Sequence, residues 1–193
     1  MLTRDEFHVY RKDGVIVPGV TTVMGNLHDY GCVPQWALEY ASERGRNVHT
    51  GSAIIDRGQE IGSIDPRCEP YLDAWKLFTQ REKPEWAVVE QMLFDPVRRF
   101  AGEPDRAGWV FDGYNIIDIK CTVDAHPAHG VQLAAYQLLC EAAAHFDSGS
   151  GRFVVQLKPD GKYVVHQYKD PMDTVTFLSC LAVYNWKERN RVN

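Results

Sequence analysis

The chain has 193 residues, of which 45% are hydrophobic and 24% are charged, and its formal net charge is −5. This composition is typical of one packed domain and excludes an intrinsically disordered chain. The acidic balance argues against a broad cationic surface that coats nucleic acid, but it is compatible with an acidic metal-loading site.

The first half of the chain predicts a hairpin followed by two helices. Residues 7–23 alternate in polarity around an Asp13-Gly14 turn, which favours a β-hairpin. Apolar residues at helical spacing predict a helix from Val33 to about Arg57, interrupted by two glycines. Residues 68–82 form an amphipathic pattern, and we expect Tyr71, Leu72, Trp75 and Phe78 to face the core.

The second half predicts a strand series and two further helices. Residues 85–95, 100–111 and 115–122 each read as one strand, with Asp112-Gly113 turning the last two antiparallel. A helix over 129–146, a hairpin around Pro159-Asp160-Gly161 and a C-terminal helix from about Asp170 complete the pattern. We expect one α/β domain with a central mixed sheet flanked by helices.

An acid and a lysine interrupt the most apolar of these strands. Asp118 and Lys120 are two residues apart, so their side chains point to the same face. Pairing across the turn places the region near Asp105 opposite them, which brings two carboxylates and an ammonium together. Two close carboxylates repel unless a divalent cation lies between them, and such a site suits phosphodiester hydrolysis. The alternative is an edge-strand ion pair facing solvent.

These residues also occur in a recognisable order. Pro104-Asp105 followed by Asp118-Ile119-Lys120 resembles the motif of the PD-(D/E)xK nuclease superfamily. Gln132 and Tyr136, Glu90, the segment from Arg44 to His49 and residues 17–24 resemble further motifs of its RecB-like exonuclease branch, which includes phage and bacterial recombination exonucleases. The resemblance implies a single restriction-endonuclease-like domain over 1–193, with a core at about 84–165 and an N-terminal helical part at 17–83.

The resemblance also implies a role for each matching residue. His49, Asp105 and Asp118 would ligate Mg²⁺ or Mn²⁺ with the Ile119 carbonyl, and Glu90 would do so through water or on a second ion. Lys120 would position the attacking water. Gln132 and Tyr136 would brace the site or contact DNA, as would Arg44 and, through a phosphate, Arg106. The alternatives are ordinary ones: a helix-face histidine, a helix-surface Gln–Tyr pair and solvated arginines.

The cysteines and the absence of membrane patterns complete the expectations. The iron–sulfur members of this branch carry three clustered cysteines after the core, whereas here only Cys140 and Cys180 follow it, so no cluster is expected. Five scattered cysteines, no apolar run near the roughly 18 residues of a membrane span and a charged N-terminal segment predict a cytoplasmic protein with no membrane association.

The expected function is a metal-dependent DNA exonuclease that leaves 5′-phosphates during recombination or end processing. Its expected partners are DNA and either a single-strand annealing protein or a helicase, and its oligomeric state is left open. Two alternatives stay open as well: a structure- or sequence-specific endonuclease of the same fold, and a non-catalytic DNA-binding subunit.

Overall fold

The computed structural model describes residues 1–27, 33–122, 124–144 and 150–191. Cys32 and residues 145–146 of the helix predicted over 129–146 therefore lie outside the described residues. The strands are β1 (Leu2–Arg4), β2 (Tyr10–Lys12), β3 (Val15–Val17), β4 (Glu85–Val89), β5 (Leu93–Asp95), β6 (Phe100–Gly102), β7 (Arg106–Val110), β8 (Gly113–Lys120), β9 (Arg152–Leu157) and β10 (Tyr163–Tyr168). The helices are α1 (Val20–Met24), α2 (Gln35–Asp56), α3 (Glu69–Glu82), α4 (Ala128–Ala142) and α5 (Met172–Arg189).

The central sheet is mixed and has the order β10-β9-β8-β7-β4. Only β8 and β9 run parallel, joined by the crossover through α4, and the other pairs are antiparallel. Helices cover both faces of this sheet, and a three-stranded sheet β1-β2-β3 lies at the N-terminal end. The predicted restriction-endonuclease-like α/β fold is confirmed.

Side chains from the two faces of the central strands contribute to two separate apolar cores. Ile116 and Val154 pack with α1, α4 and α5 on one face, whereas Ile117 and Val155 pack with α2 and α3 on the other. Because side chains alternate along a strand, Asp118 shares the face of Ile116. The described part of the chain has no helix long and apolar enough to cross a membrane.

Two predicted strands are wrong because each is divided. The run at 85–95 forms β4 and β5 in different sheets, since Glu90 adopts a positive φ of 44° that ends the first strand. The run at 100–111 forms β6 and β7, separated by Pro104, which has no N–H to donate to a ladder.

Two smaller differences concern the N-terminal region and the β7–β8 turn. Residues 20–23 of the predicted hairpin belong to α1, after a β2–β3 turn at Asp13-Gly14 that is as predicted. The turn between β7 and β8 is shifted by one residue: Val110 pairs with Gly113, and the positive φ values lie at Phe111 (54°) and Asp112 (60°).

Candidate active site

The end of the β7–β8 ladder sets the two motif carboxylates side by side. Arg106 pairs with Ile117, so the same register places Asp105 opposite Asp118 and Pro104 opposite Ile119. Because proline has no N–H, the Ile119 carbonyl has no donor from that strand. It faces Nε2 of His49 instead, at 3.1 Å.

Asp105 is held in place by both of its neighbours in the sheet. Its Oδ2 accepts a hydrogen bond of 2.6 Å from the Ile119 amide on β8, beyond the first residue of β7. Its backbone carbonyl accepts a bond of 3.0 Å from the Glu90 amide. One carboxylate oxygen of Asp105 is therefore fixed, and Oδ1 remains directed at the neighbouring groups of the site.

Glu90 enters the site because β4 ends there in a left-handed conformation. Its Oε1 lies 3.2 Å from Nδ1 of His49 and 3.0 Å from an Arg106 nitrogen. Nδ1 of His49 is also 3.5 Å from Asp105 Oδ1. One ligand atom from each of His49, Glu90 and Asp105 lies within 4.8 Å of the others, a spacing that suits a single cation.

The charge on His49 follows from these contacts. Burial by itself lowers the pKa of His49, but the Asp105 and Glu90 carboxylates outweigh it and raise the pKa to about 9. Both ring nitrogens face acceptors, Glu90 on one side and the Ile119 carbonyl on the other, as an imidazolium requires. At neutral pH a proton therefore occupies the position that a cation would share with these residues.

Asp118 is the most costly charge in the site. It is 1% exposed, and Lys120 Nζ lies 2.7 Å from its Oδ2 as an ion-pair partner. Apart from that ion pair, its carboxylate has no well-aligned hydrogen-bond donor among the described residues. Burial raises the pKa of Asp118 and Asp105 adds to the effect, while Lys120 opposes it. This buried carboxylate retains unused capacity to coordinate a cation, although it lies outside the compact three-residue group.

Gln132 and Tyr136 contact each other on α4, next to the acids of the site. Gln132 Nε2 donates a hydrogen bond of 3.0 Å to the Tyr136 hydroxyl. Tyr136 is buried, and burial together with the charges of Asp105 and Asp118 raises its pKa well above the usual value. The phenol stays neutral and can donate its proton to an anionic neighbour.

The two predicted arginines lie in different places. Arg106 is fully buried, donates bonds to Asp56 at 2.6 Å and to Ser52 Oγ at 2.8 Å, and stacks 5.4 Å from the Trp75 ring centroid. The predicted phosphate contact of Arg106 is wrong, because no part of its guanidinium reaches solvent. Arg44 lies at the surface of the site and donates a bond of 2.8 Å to the Cys121 carbonyl.

The structure adds residues that sequence reasoning missed. Asp56, the partner of Arg106, follows His49 by seven residues on α2, and this two-turn spacing on one helix face is a signal that was available. Glu103 forms an ion pair with Arg4 across the N-terminal sheet. No local pattern could have indicated that pair, since the two residues lie 99 positions apart.

The site opens into a cleft of about 710 Å³. One wall comes from α2, with Arg44, Arg46 and His49, and the other comes from the N-terminal sheet, with Arg4 and Tyr10. The floor holds Asp105, Lys120 and Tyr136. Acids, imidazole and ammonium thus face a space that a polar, extended ligand can enter.

One family model and two solved structures are similar to this chain. A model of the PD-(D/E)XK nuclease superfamily matches residues 28–184. An alkaline exonuclease (LHK-Exo) from Laribacter hongkongensis is a similar solved structure, with 17% identity, a TM-score of 0.42, and coverage of 89% of this chain and 91% of that one.

A second structure, LHK-Exo in complex with dAMP, shows 16% identity, a TM-score of 0.40, and coverage of 90% of this chain and 92% of that one. A search of curated proteins gave no match. The family model covers most of the chain. The chain therefore belongs to the PD-(D/E)XK nuclease superfamily.

Proposed function

We propose that this protein is a divalent-metal-dependent deoxyribonuclease that hydrolyses DNA from its ends and leaves 5′-phosphates. The observation that carries the proposal is the convergence of His49, Glu90 and Asp105 within 4.8 Å, beside the buried Asp118–Lys120 pair. Three mutually repelling acids kept together at one end of a sheet are costly without a cation and useful with one.

The donor set fits Mg²⁺ or Mn²⁺. Carboxylate oxygens suit both ions, and a single imidazole is acceptable to Mn²⁺. His49, Glu90 and Asp105 would hold the ion, with Asp118 and the Ile119 carbonyl next to them. When bound, such an ion supplies a Lewis acid for the phosphodiester.

The chain's own groups account for the remaining chemistry. The Lys120 side chain is 20% exposed at the cleft, so its ammonium can orient a water and stabilise negative charge on the phosphate. Tyr136 accepts its hydrogen bond from Gln132, which leaves the phenol proton available to the substrate or to a site carboxylate. Asp105 is fixed by the Ile119 amide and keeps the carboxylates aligned.

Two features favour attack at DNA ends and roles in recombination or end processing. The N-terminal sheet lines the cleft together with α2, and the Arg4–Glu103 ion pair ties that sheet to the segment before Asp105. A net charge of −5 suits a strand entering a local channel better than a protein wrapped around a duplex. A single-strand annealing protein or a helicase would be a fitting partner for such an enzyme.

A comparison of linear with covalently closed circular DNA tests the proposal. We expect the purified protein to degrade linear DNA with Mn²⁺ or Mg²⁺, to spare the closed circle, and to lose all activity in chelator. A cut circle would instead identify an endonuclease of the same fold. Binding of DNA without any cleavage under all metal conditions would identify a non-catalytic subunit and overturn the proposal.

A further inference from the structure

The N-terminal half of α2 carries exposed aromatic rings that the proposed chemistry does not use. Trp36 is 72% exposed and Tyr40 is 39% exposed, although both lie within a long helix. With Arg44 they are spaced at intervals of four residues, which places all three on one side of the helix. We call Trp36, Tyr40, Arg44 and Arg67 the α2 track.

Both arginines of the α2 track already stack on the Tyr40 ring. The Arg67 guanidinium carbon lies 5.0 Å from the centroid of the Tyr40 ring, and that of Arg44 lies 5.7 Å from it. Arg44 also lies 5.0 Å from the Tyr71 ring, which fixes its position. Such planar groups, held in place before a ligand arrives, stack on nucleobases at low cost in conformational entropy.

Arg44 joins the α2 track to the cleft of the proposed active site, and the other three residues of the track lie outside the cleft lining. Arg44 lines the cleft and bonds the Cys121 carbonyl, one residue after Lys120. Trp36 lies eight residues earlier, which is about 12 Å along the helix axis. At roughly 3.4 Å per stacked nucleotide, this distance corresponds to three or four nucleotides.

We propose that the α2 track binds the bases of single-stranded DNA next to the active-site cleft. The proposal extends the proposed nuclease function to a specific substrate form, an unpaired strand of at least a few nucleotides, and it rests on that function for its biological purpose. The α2 track contributes mainly through stacking. Arg67 Nε donates a hydrogen bond of 2.7 Å to Asp65 Oδ2, and the Asp65 carboxylate offsets much of the charge of Arg67. Base pairs in a duplex hide the faces that Trp36 would contact.

Two oligonucleotides separate stacking from charge. The first is an oligothymidylate of about 12 nucleotides, and the second is an abasic strand of equal length. Binding is measured by fluorescence anisotropy in chelator, so that hydrolysis does not interfere. We expect Trp36→Ala to weaken binding of oligothymidylate roughly 5- to 100-fold and to change binding of the abasic strand less than about twofold.

Matched variants make the result specific. Trp36→Phe should restore most of the affinity for oligothymidylate, since it keeps an aromatic face. Trp186→Ala removes a similarly exposed tryptophan, 60% exposed on α5 and outside the cleft lining, and should bind both strands like the wild type. Equal binding of oligothymidylate by Trp36→Ala and wild type, or equal weakening on both strands, would overturn the proposal.

The result of these binding measurements is independent of the test of the nuclease function. If the protein binds oligothymidylate through Trp36 but never cleaves linear DNA with Mn²⁺, the proposal for the α2 track stands and the proposed nuclease function fails. If the protein cleaves linear DNA but its binding does not depend on Trp36, the proposed nuclease function stands and the proposal for the α2 track fails.

Discussion

Two clusters of buried charge lie at the same end of the central sheet. They differ in how completely the fold satisfies their charged groups with hydrogen bonds. The arginine network consists of Arg106, Asp56, Ser52 and Glu90, and it lies towards α2 and α3. Every guanidinium nitrogen of Arg106 has an acceptor, with donor–acceptor distances from 2.6 to 3.0 Å. This completeness is what a buried charge needs in order to be tolerated without any ligand.

The acid site consists of His49, Asp105, Asp118 and Lys120, and it lacks this completeness. Burial raises the pKa values of both Asp105 and Asp118, so their ionised forms are disfavoured in the folded chain. Buried groups that the fold itself leaves poorly compensated are typical of functional sites. The contrast supports a structural role for the arginine network and, under the proposed function, a ligand-binding role for the acid site.

Glu90 joins the two clusters. Its Oε1 contacts Arg106 and His49 at once, so the satisfied network holds one ligand of the unsatisfied site in position. Substitutions in the two clusters should therefore differ in kind. Those in the arginine network should change the free energy of unfolding, and those in the acid site should change catalysis and metal binding.

The largest effect should come from Asp118→Asn. The amide keeps the shape of the carboxylate but removes its charge, so cleavage of end-labelled DNA with Mn²⁺ should fall by at least about 10³-fold. The free energy of unfolding in chelator should not fall, because the variant removes a buried charge next to Asp105. Near-normal cleavage by this variant would place the catalytic centre elsewhere.

Arg106→Met should show the reverse pattern. Removing the guanidinium leaves Asp56 and Glu90 uncompensated, which should cost about 3–5 kcal/mol in the free energy of unfolding measured with urea. Arg46→Met removes an exposed arginine on α2 and should stay within about 0.5 kcal/mol of wild type. If both variants were equally stable, the arginine network would have no special structural role.

Lys120→Gln should affect turnover more than metal binding. The ammonium does not ligate the ion, so kcat should fall roughly 10²-fold while Mn²⁺ affinity in a calorimetric titration changes little. A parallel loss of Mn²⁺ affinity would show that Lys120 acts by keeping Asp118 in place.

The sequence predicted the acid site better than its surroundings. The turn between β7 and β8 brings the region near Asp105 opposite Asp118, although it lies one residue earlier than the sequence predicted. The spacing of Asp118 and Lys120 places both on one face in any strand. These are local properties, and local properties can be read from one sequence.

The arginine network could not be predicted in the same way. Arg106 gains its role from Asp56, 50 residues earlier, and from Trp75 in a different helix. Nothing near Arg106 distinguishes a buried arginine from one that binds phosphate. The break at Glu90 was missed for a similar reason: a non-glycine residue at positive φ carries no turn signal, and the tertiary contacts of Glu90 stabilise it.

The smallest predicted effect concerns the pH dependence that His49 confers. With a folded-state pKa of about 9 against an ordinary value of 6.5, protonated His49 stabilises the metal-free fold, fully below pH 6.5 and no longer once the pH has passed about 9. A cation must displace this proton, so Mn²⁺ affinity should rise about tenfold per pH unit from pH 7 towards 9 and then level off.

Calorimetry in buffers of different ionisation enthalpy should show release of about one proton per ion bound at pH 7. His49→Gln should bind Mn²⁺ more weakly at high pH and should lose most of the pH dependence, because glutamine has no competing proton. A slope that persists unchanged in His49→Gln would assign the competing proton to Asp105 or Asp118, whose pKa values are also raised, and would leave His49 outside the metal site.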